Sequence, residues 1–173
     1  MRKLLVPILI AAFACNPKTE TVLVLEPHSA SDSLLLQPEE MKYLKNVKQL
    51  TFGGNNAEAY WSFDDSMLVF QSDFAGWGNE CDQMFYLNWR EDDTSVAQPK
   101  RISTGLGRTT CSYFLPGDKT FVYASTHLVD PACPAVPERR ADGKYVWPIY
   151  DSFDIFTADL DGNILNQLTS EPG

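Results

Sequence analysis

Positive charge is scarce in this sequence. Lys and Arg together number 14 against 23 Asp and Glu, which gives a formal net charge of -9. Proteins that bind the phosphate backbone of nucleic acids present a basic face, and no cluster of Lys and Arg offsets the acidic balance here. The composition therefore excludes nucleic acid as an expected partner. With 173 residues, 44% of them hydrophobic, the chain is long enough to fold one domain around its own core.

Residue motifs typical of metal-binding or catalytic sites are also scarce. The sequence has no C-x-x-C, and only His28 and His127 could add imidazole ligands, so a zinc site is not expected. The segment "DLDGN" at 159–163 begins like a calcium loop, but Ser170 stands where such a loop needs glutamate. It is better interpreted as a hairpin turn. Ser125 lies near His127 without a G-x-S-x-G context. We expect no metal, no cofactor and no catalytic residue.

The apolar run at 4–14 is too short to span a bilayer and suits a signal peptide. Arg2 and Lys3 provide the positive charge that precedes such a run. Two cleavage patterns are open. Ala12-Phe13-Ala14 is an A-x-A site for ordinary secretion, and the same residues followed by Cys15 resemble a bacterial lipobox, in which the cysteine is lipidated. Both predict export, and the second predicts a lipid-anchored protein in the periplasm or at the outer membrane.

Residues 16–45 mix Pro, Ser and Thr with a short apolar run, which predicts a tether between the anchor and the folded domain. The run at 22–25 could also add an edge strand. Residues 46–173 then form the predicted domain.

Two stretches of this domain align with each other. "AEAYWSFDDSMLVFQS" at 57–72 and "CSYFLPGDKTFVYAS" at 111–125 match at an offset of 53, with Asp65 opposite Asp118. Each stretch reads as a strand, a tight turn and a second strand. Further matches extend the repeat to four strands: "DQMFYLN" at 82–88 with "DIFTAD" at 154–159, and "QLT", "RIS" and "QLT" at 49–51, 101–103 and 167–169.

Repeat units of about 50 residues with four strands each are typical of β-propeller blades. The sequence predicts an all-β fold with about two blades of four antiparallel strands. The first covers about 53–103 and the second about 105–169, with a proline-rich insert at 127–150 between its second and third strands. Closed propellers have about four to eight blades. We therefore expect the chain to belong to a longer propeller or to self-associate.

The repeat resembles the TolB-type, WD40-like β-propeller repeats of bacterial envelope proteins. Their usual W-S-P-D-G-K turn is represented by 61–66, where Phe63-Asp64-Asp65 replaces Pro-Asp-Gly, and more closely by Pro116-Gly117-Asp118. The resemblance covers about 46–173. It implies a non-enzymatic module that binds an envelope protein, a peptide or another ligand, as TolB binds a peptidoglycan-associated lipoprotein in the Tol–Pal system. This chain has no room for the separate N-terminal α/β domain of TolB. The alternative is the substrate-gating propeller of a longer serine-peptidase-type hydrolase.

Alternation of strand direction places the loops before the first strands and the loops between second and third strands on one face of the domain. A disulfide near this face is expected, with Cys81–Cys111 as the first choice and Cys133 as the alternative partner. Trp77 and Trp147 lie in predicted loops and suit an exposed surface. The candidate binding face comprises Asn55, Asn56, Glu58, Trp77, Arg108, His127 and Trp147.

Overall fold

A computed structural model describes residues 35–89 and 99–170 of the protein. The predicted signal peptide, the lipidation site Cys15 and residues 16–34 of the predicted tether lie outside these described residues. Residues 35–45 form turns and are mostly exposed. None of the helices within the described ranges has the length and apolar character needed to cross a membrane.

The fold is all-β, as predicted, and consists of two four-stranded antiparallel sheets. Sheet A has the order β1-β2-β3-β4, and sheet B has the order β5-β6-β7-β8. A short 3-10 helix at Ala75–Trp77 follows β2. The strands of sheet A are β1 Asn56–Trp61, β2 Met67–Ser72, β3 Gln83–Asn88 and β4 Lys100–Arg101. The strands of sheet B are β5 Thr109–Phe114, β6 Thr120–Ser125, β7 Asp154–Asp159 and β8 Ile164–Gln167.

The two sheets repeat one another in register, which confirms the offset of 53 between their first hairpins. Tyr60 pairs with Val69 in sheet A, and Tyr113 pairs with Val122 in sheet B. Both first strands carry a register shift just before these pairs. A residue with positive φ lies within each shift, Glu58 in β1 and Cys111 in β5, with φ of 51° and 52°. A bulge of this kind increases the local twist of a strand.

The fourth strands differ from the prediction. Strands were expected at the three "QLT"-like segments, but β4 ends before Ile102 and β8 ends at Gln167, and residues 49–51 form no strand. The hydroxyls of Ser103 and Thr169 explain the early ends. Each hydroxyl accepts a hydrogen bond from a backbone N–H of the third strand beside it. Ser103 accepts from Met84 at 3.0 Å, and Thr169 accepts from Ile155 at 2.9 Å. A side chain thus takes the place of the next backbone partner in the ladder.

The main core lies between the two sheets. Val69, Met84 and Ile102 from sheet A are completely buried. They belong to one cluster with the aromatic residues of sheet B, namely Phe114, Phe121, Tyr123 and Phe156. Full burial of an aliphatic or aromatic side chain stabilises a fold by about 1.5–3 kcal/mol. This interface therefore fixes how the sheets stack.

Polar contacts join the sheets at the turn ends of their first hairpins. The carboxylate of Asp118 accepts the backbone N–H groups of Phe63 at 2.8 Å and Asp64 at 3.1 Å. At another edge, Lys100 forms an ion pair with Asp161 at 2.5 Å. The Asp118 bonds hold the first turn of sheet A against the corresponding turn of sheet B, and the ion pair joins β4 to the turn between β7 and β8.

We predict that Asp118→Ala destabilises the stack, because two backbone donors lose a charged acceptor. Hydrogen bonds to charged groups contribute about 1.5–3 kcal/mol, and partial exposure of this turn lowers the expected loss to about 1–2 kcal/mol. Urea unfolding measures it. Asp65→Ala is the matched control, since Asp65 has the same place in sheet A and a similar φ of 59°. Equal losses in the two variants would contradict the assignment.

Candidate functional site

The connections between strands meet on one side of the domain, called the loop face from here on. It comprises residues 53–55, 73–82, 102–108 and the insert at 127–150. The backbone N–H of Asn55 donates to the Asp73 carboxylate at 2.6 Å, and its side-chain amide donates to the other carboxylate oxygen at 2.7 Å. These bonds outweigh the effect of partial burial and lower the pKa of Asp73. The carboxylate therefore stays charged.

A disulfide between Cys81 and Cys133 attaches the insert to the loop that precedes β3. The Cα atoms are 5.9 Å apart, within the usual range for a disulfide. The first-choice pair Cys81–Cys111 was wrong, and the alternative partner Cys133 is the one bonded. Cys111 lies in the bulge of β5, where its side chain is exposed and its thiol is free. The insert, in contrast, folds back over the loop face and brings Cys133 to Cys81.

Cys111 is a poor candidate for a nucleophile. Desolvation of its sulfur and a hydrogen bond with the neighbouring Glu58 carboxylate raise the pKa of the Cys111 thiol. The thiolate is the reactive form of cysteine, so this environment keeps the side chain in its less reactive state.

Gly107 permits close contact between the insert and the loop before β5. Its N–H donates to the carbonyl of Pro131 at 2.7 Å. Its φ of 61° is unfavourable for other residues, and a Cβ atom would approach Thr126 Oγ1 to 2.5 Å and the Asp130 carbonyl to 2.8 Å. The insert is therefore held by the backbone as well as by the disulfide.

Arg108 bridges the two sheets. Its guanidinium lies 3.3 Å from the Asp82 carboxylate, and about one fifth of each side chain is exposed, 22% for Arg108 and 19% for Asp82. Burial raises the pKa of Asp82 although Arg108 opposes the shift. The backbone N–H of Arg108 also donates to Thr126 Oγ1 at 3.0 Å. Arg108 is thus engaged within the fold, and little of its charge faces solvent.

His127 and Ser125 lie close together but inside the protein. The imidazole Nδ1 is 2.9 Å from the Ser125 hydroxyl, and the ring packs against Phe156 with centroids 4.6 Å apart. Ser125 is completely buried, and His127 is 7% exposed. Burial lowers the pKa of His127. Nε2 is buried without a hydrogen-bond partner in the described part of the chain. A buried hydroxyl cannot reach a substrate, so this pair is structural.

The other candidate residues are dispersed. Asn56 begins β1 and donates to the Gly53 carbonyl at 3.0 Å. Glu58 is exposed in the bulge of β1. Trp77 packs edge-on against Phe70, with ring centroids 6.3 Å apart, and is only partly exposed. Its role is therefore to cover the outer face of sheet A, although a loop position had suggested a free surface.

Trp147 is the candidate that lies open to solvent. It is 81% exposed and contacts Tyr145 edge-to-face, with ring centroids 5.1 Å apart. Tyr145 and Ile149 are also exposed, at 67% and 90%. This apolar strip of the insert, residues 145–149, forms no regular secondary structure. The hydroxyl of Tyr150, directly after the strip, donates to the Ala135 carbonyl at 2.8 Å, which joins the strip to the part of the insert that carries Cys133.

A groove of about 690 Å³ adjoins the apolar strip. Sequence reasoning missed it because its walls come from both ends of the insert, from the residues that lead into β7, and from Ser170, which lies beyond the end of β8. The signal in the sequence was the pair of aspartates directly after the strip, in "YDSFD" at 150–154. The groove is lined by Val129, Asp130, Ile149, Tyr150, Asp151, Ser152, Asp154 and Ser170.

The carboxylates of the groove do not form a metal centre. Asp154 already accepts hydrogen bonds from Gln167 at 3.1 Å and Thr169 at 2.9 Å. Among residues 35–89 and 99–170, no group of three His, Cys, Asp or Glu side chains is arranged to hold a metal ion. The "DLDGN" segment is a turn in which the Asp159 carboxylate accepts the N–H groups of Asp161 and Asn163, both at 2.9 Å.

We predict that Cys133→Ser lowers the free energy of unfolding by about 4 kcal/mol. The disulfide spans a sequence separation of 52 residues. In the chain-entropy model, closing a loop of that size lowers the conformational entropy of the unfolded chain, which raises its free energy by about 4 kcal/mol. Urea unfolding of the oxidised proteins measures the change. Cys111→Ser is the control and should match the wild type. A similar loss in both variants would contradict the disulfide assignment.

A second prediction concerns pH. Because the pKa of His127 is lowered in the folded state, the unfolded chain takes up a proton first, and stability falls as the pH drops below about 6.5. His127→Phe should lack this loss, so its stability relative to the wild type should rise as the pH falls from 7.5 to 5.5. Phenylalanine suits the position, since Phe74 is its equivalent at the offset of 53. Denaturation at pH 5.5 and 7.5 measures it, and identical pH profiles would contradict it.

Comparison with known proteins does not assign this chain to a family. No protein-family model matches the sequence, and no curated protein matches it either. The likeness to TolB-type repeats therefore remains a resemblance.

Proposed function

We propose that the protein is a non-enzymatic binding module that holds a protein or peptide segment on its loop face. The observation that carries this proposal is the apolar strip at 145–149, where Trp147 is 81% exposed in an insert fixed by the Cys81–Cys133 disulfide. Exposed aromatic residues on anchored loops suit recognition, since they contribute a large contact area and lose little freedom on binding.

The side chains that line the groove indicate which kind of segment it would bind. Val129 and Ile149 provide apolar walls, and Asp130 and Asp151 add carboxylates. Neither aspartate forms an ion pair within the described residues. A segment with apolar and basic side chains complements both properties. The net charge of -9 would also attract such a partner over longer distances.

The buried Ser125 and His127 pair favours binding over hydrolysis, because its hydroxyl is inaccessible to a substrate. No observation favours the alternative of a peptidase gate over a binding module. The two sheets suit blades of a β-propeller, with the same strand order and the same bulge in each.

We place the protein in the bacterial cell envelope, as a TolB-like lipoprotein. The N-terminal pattern that ends at Cys15 supports export and lipid anchoring. The Cys81–Cys133 disulfide supports an oxidising compartment such as the periplasm. The expected partner is therefore another envelope protein, and the membrane is contacted through the lipid alone.

We predict that immobilised peptides containing both Lys or Arg and apolar residues bind the protein better than peptides with Glu in place of the basic residues. Trp147→Ala should weaken binding by about 30-fold, the effect of losing an aromatic hot spot. Fluorescence anisotropy with the best peptide measures the affinity. Tyr43→Ala is the control, because Tyr43 is 78% exposed but lies outside the insert.

Two outcomes would contradict the proposal. One is that no peptide of either charge binds. The other is that Trp147→Ala and Tyr43→Ala reduce binding equally, because the apolar strip would then have no special role.

A further inference from the structure

The insert at 127–150 contains two adjacent arginines, Arg139 and Arg140, in a stretch with little hydrogen bonding. All residues from 135 to 147 are exposed, and none of them lies in a strand or helix. Between residues 132 and 139, no backbone–backbone hydrogen bond is formed within the described part of the chain. Pro134 and Pro137 restrict the residues before them to extended conformations. The chain that leads to Arg139 is therefore extended and open, as is typical of sites that endoproteases cleave.

The two arginines differ in what holds them. The guanidinium of Arg140 lies 3.2 Å from the Asp142 carboxylate, and its carbonyl accepts the N–H of Gly143 at 2.9 Å. Arg139 forms no ion pair with another described residue, and its carbonyl accepts no backbone hydrogen bond from one. A protease must bind the side chain and reach the carbonyl of the residue that precedes the cleaved bond. The bond between Arg139 and Arg140 is therefore better exposed than the bond after Arg140.

The remaining arginines within the described ranges are held by the fold. Arg101 lies in β4, where it pairs with Phe85 of β3. Arg108 has its guanidinium 3.3 Å from the Asp82 carboxylate and donates its backbone N–H to Thr126. Cleavage after either residue would require contacts between strands or between sheets to open first. Among the described arginines, Arg139 thus precedes the bond that needs the least rearrangement.

We propose that the Arg139–Arg140 bond is a processing site for an arginine-specific endoprotease of the trypsin-like class, and that cleavage there weakens the loop-face binding site without unfolding the protein. A protease of this class holds a basic side chain in an acidic pocket. Hydrolysis consumes one water molecule, breaks the peptide bond, and leaves a carboxylate on Arg139 and an amino group on Arg140. The effect on binding rests on the proposed function of the loop face.

The cut leaves both halves of sheet B joined. β7 follows the cut and pairs with β6, which precedes it, along its full length from Asp154 to Asp159. Phe156 and Ala158 of β7 lie in the main core and are 1% and 0% exposed. The first part of the insert is held separately, because the Cys81–Cys133 disulfide lies wholly before the cut. The two fragments should therefore stay together as a folded complex.

The apolar strip at 145–149 follows the cut closely. In the intact chain it is attached at both ends, through the segment that leads back to Cys133 and through β7. After cleavage only the end toward β7 is covalently attached, and residues 140–149 become a chain terminus. A strip with this added freedom must be ordered when a partner binds. We expect the dissociation constant of a bound peptide to rise about tenfold, equivalent to ordering about two additional side chains.

Limited digestion of the full, oxidised chain with an arginine-specific endoprotease tests the cleavage site, since lysines then do not compete. The first cut should create a new N-terminus at Arg140, identified by mass spectrometry, and the fragments should coelute in size-exclusion chromatography without denaturant. Arg139→Gln should slow this first cleavage about tenfold, because the contacts of Arg140 must open instead. Arg140→Gln is the matched control and should be cut at the wild-type rate. A first cut after another residue, equal rates for the two variants, or fragments that separate would overturn the proposal.

Fluorescence anisotropy with the best-binding peptide, after the protease is removed, tests the effect on binding. The cleaved wild type should bind about tenfold more weakly than the intact protein, whereas Arg139→Gln treated for the same time should keep its affinity. Equal affinities of cleaved and intact wild type would overturn the effect on the binding site. If the intact protein binds no peptide, the proposed function fails and the effect on binding fails with it, whereas the fragment N-termini still decide whether Arg139 marks the cleavage site.

Discussion

The stacking of sheet A on sheet B is the contact on which the rest of the structure depends. A single four-stranded sheet has two faces and cannot bury both by itself. Here the inner face of sheet A inserts Val69 and Met84 among aromatic rings of sheet B, and both residues become inaccessible. Once this contact forms, the relative position of the two hairpin turns is fixed, and Asp118 can accept the backbone donors of Phe63 and Asp64.

The loop face follows from the same stacking. Because both sheets have the same strand order, the connections between their second and third strands emerge on one side. The insert of sheet B can therefore reach the equivalent connection of sheet A, where the Cys81–Cys133 disulfide joins them. An otherwise irregular segment becomes anchored in this way. Its exposed apolar residues are then presented in a fixed place, which a free loop of the same composition would not achieve.

Much of the fold was predictable because the repeat is local and periodic. The hairpins at 56–72 and 109–125 combine strand-forming residues with a short turn, and these patterns depend on neighbouring residues alone. The fourth strands depended on the hydroxyls of Ser103 and Thr169 taking over backbone partners, which no periodicity reveals. The disulfide partner depended on the path of the insert, which the sequence pattern does not encode.

The apolar strip at 145–149 lies outside the repeated part of the two sheets. The apolar strip at 145–149 has no equivalent in sheet A, and it adjoins a groove containing Asp130 and Asp151. A surface that occurs once and mixes apolar with charged groups favours a specific partner, because misplaced charges are penalised.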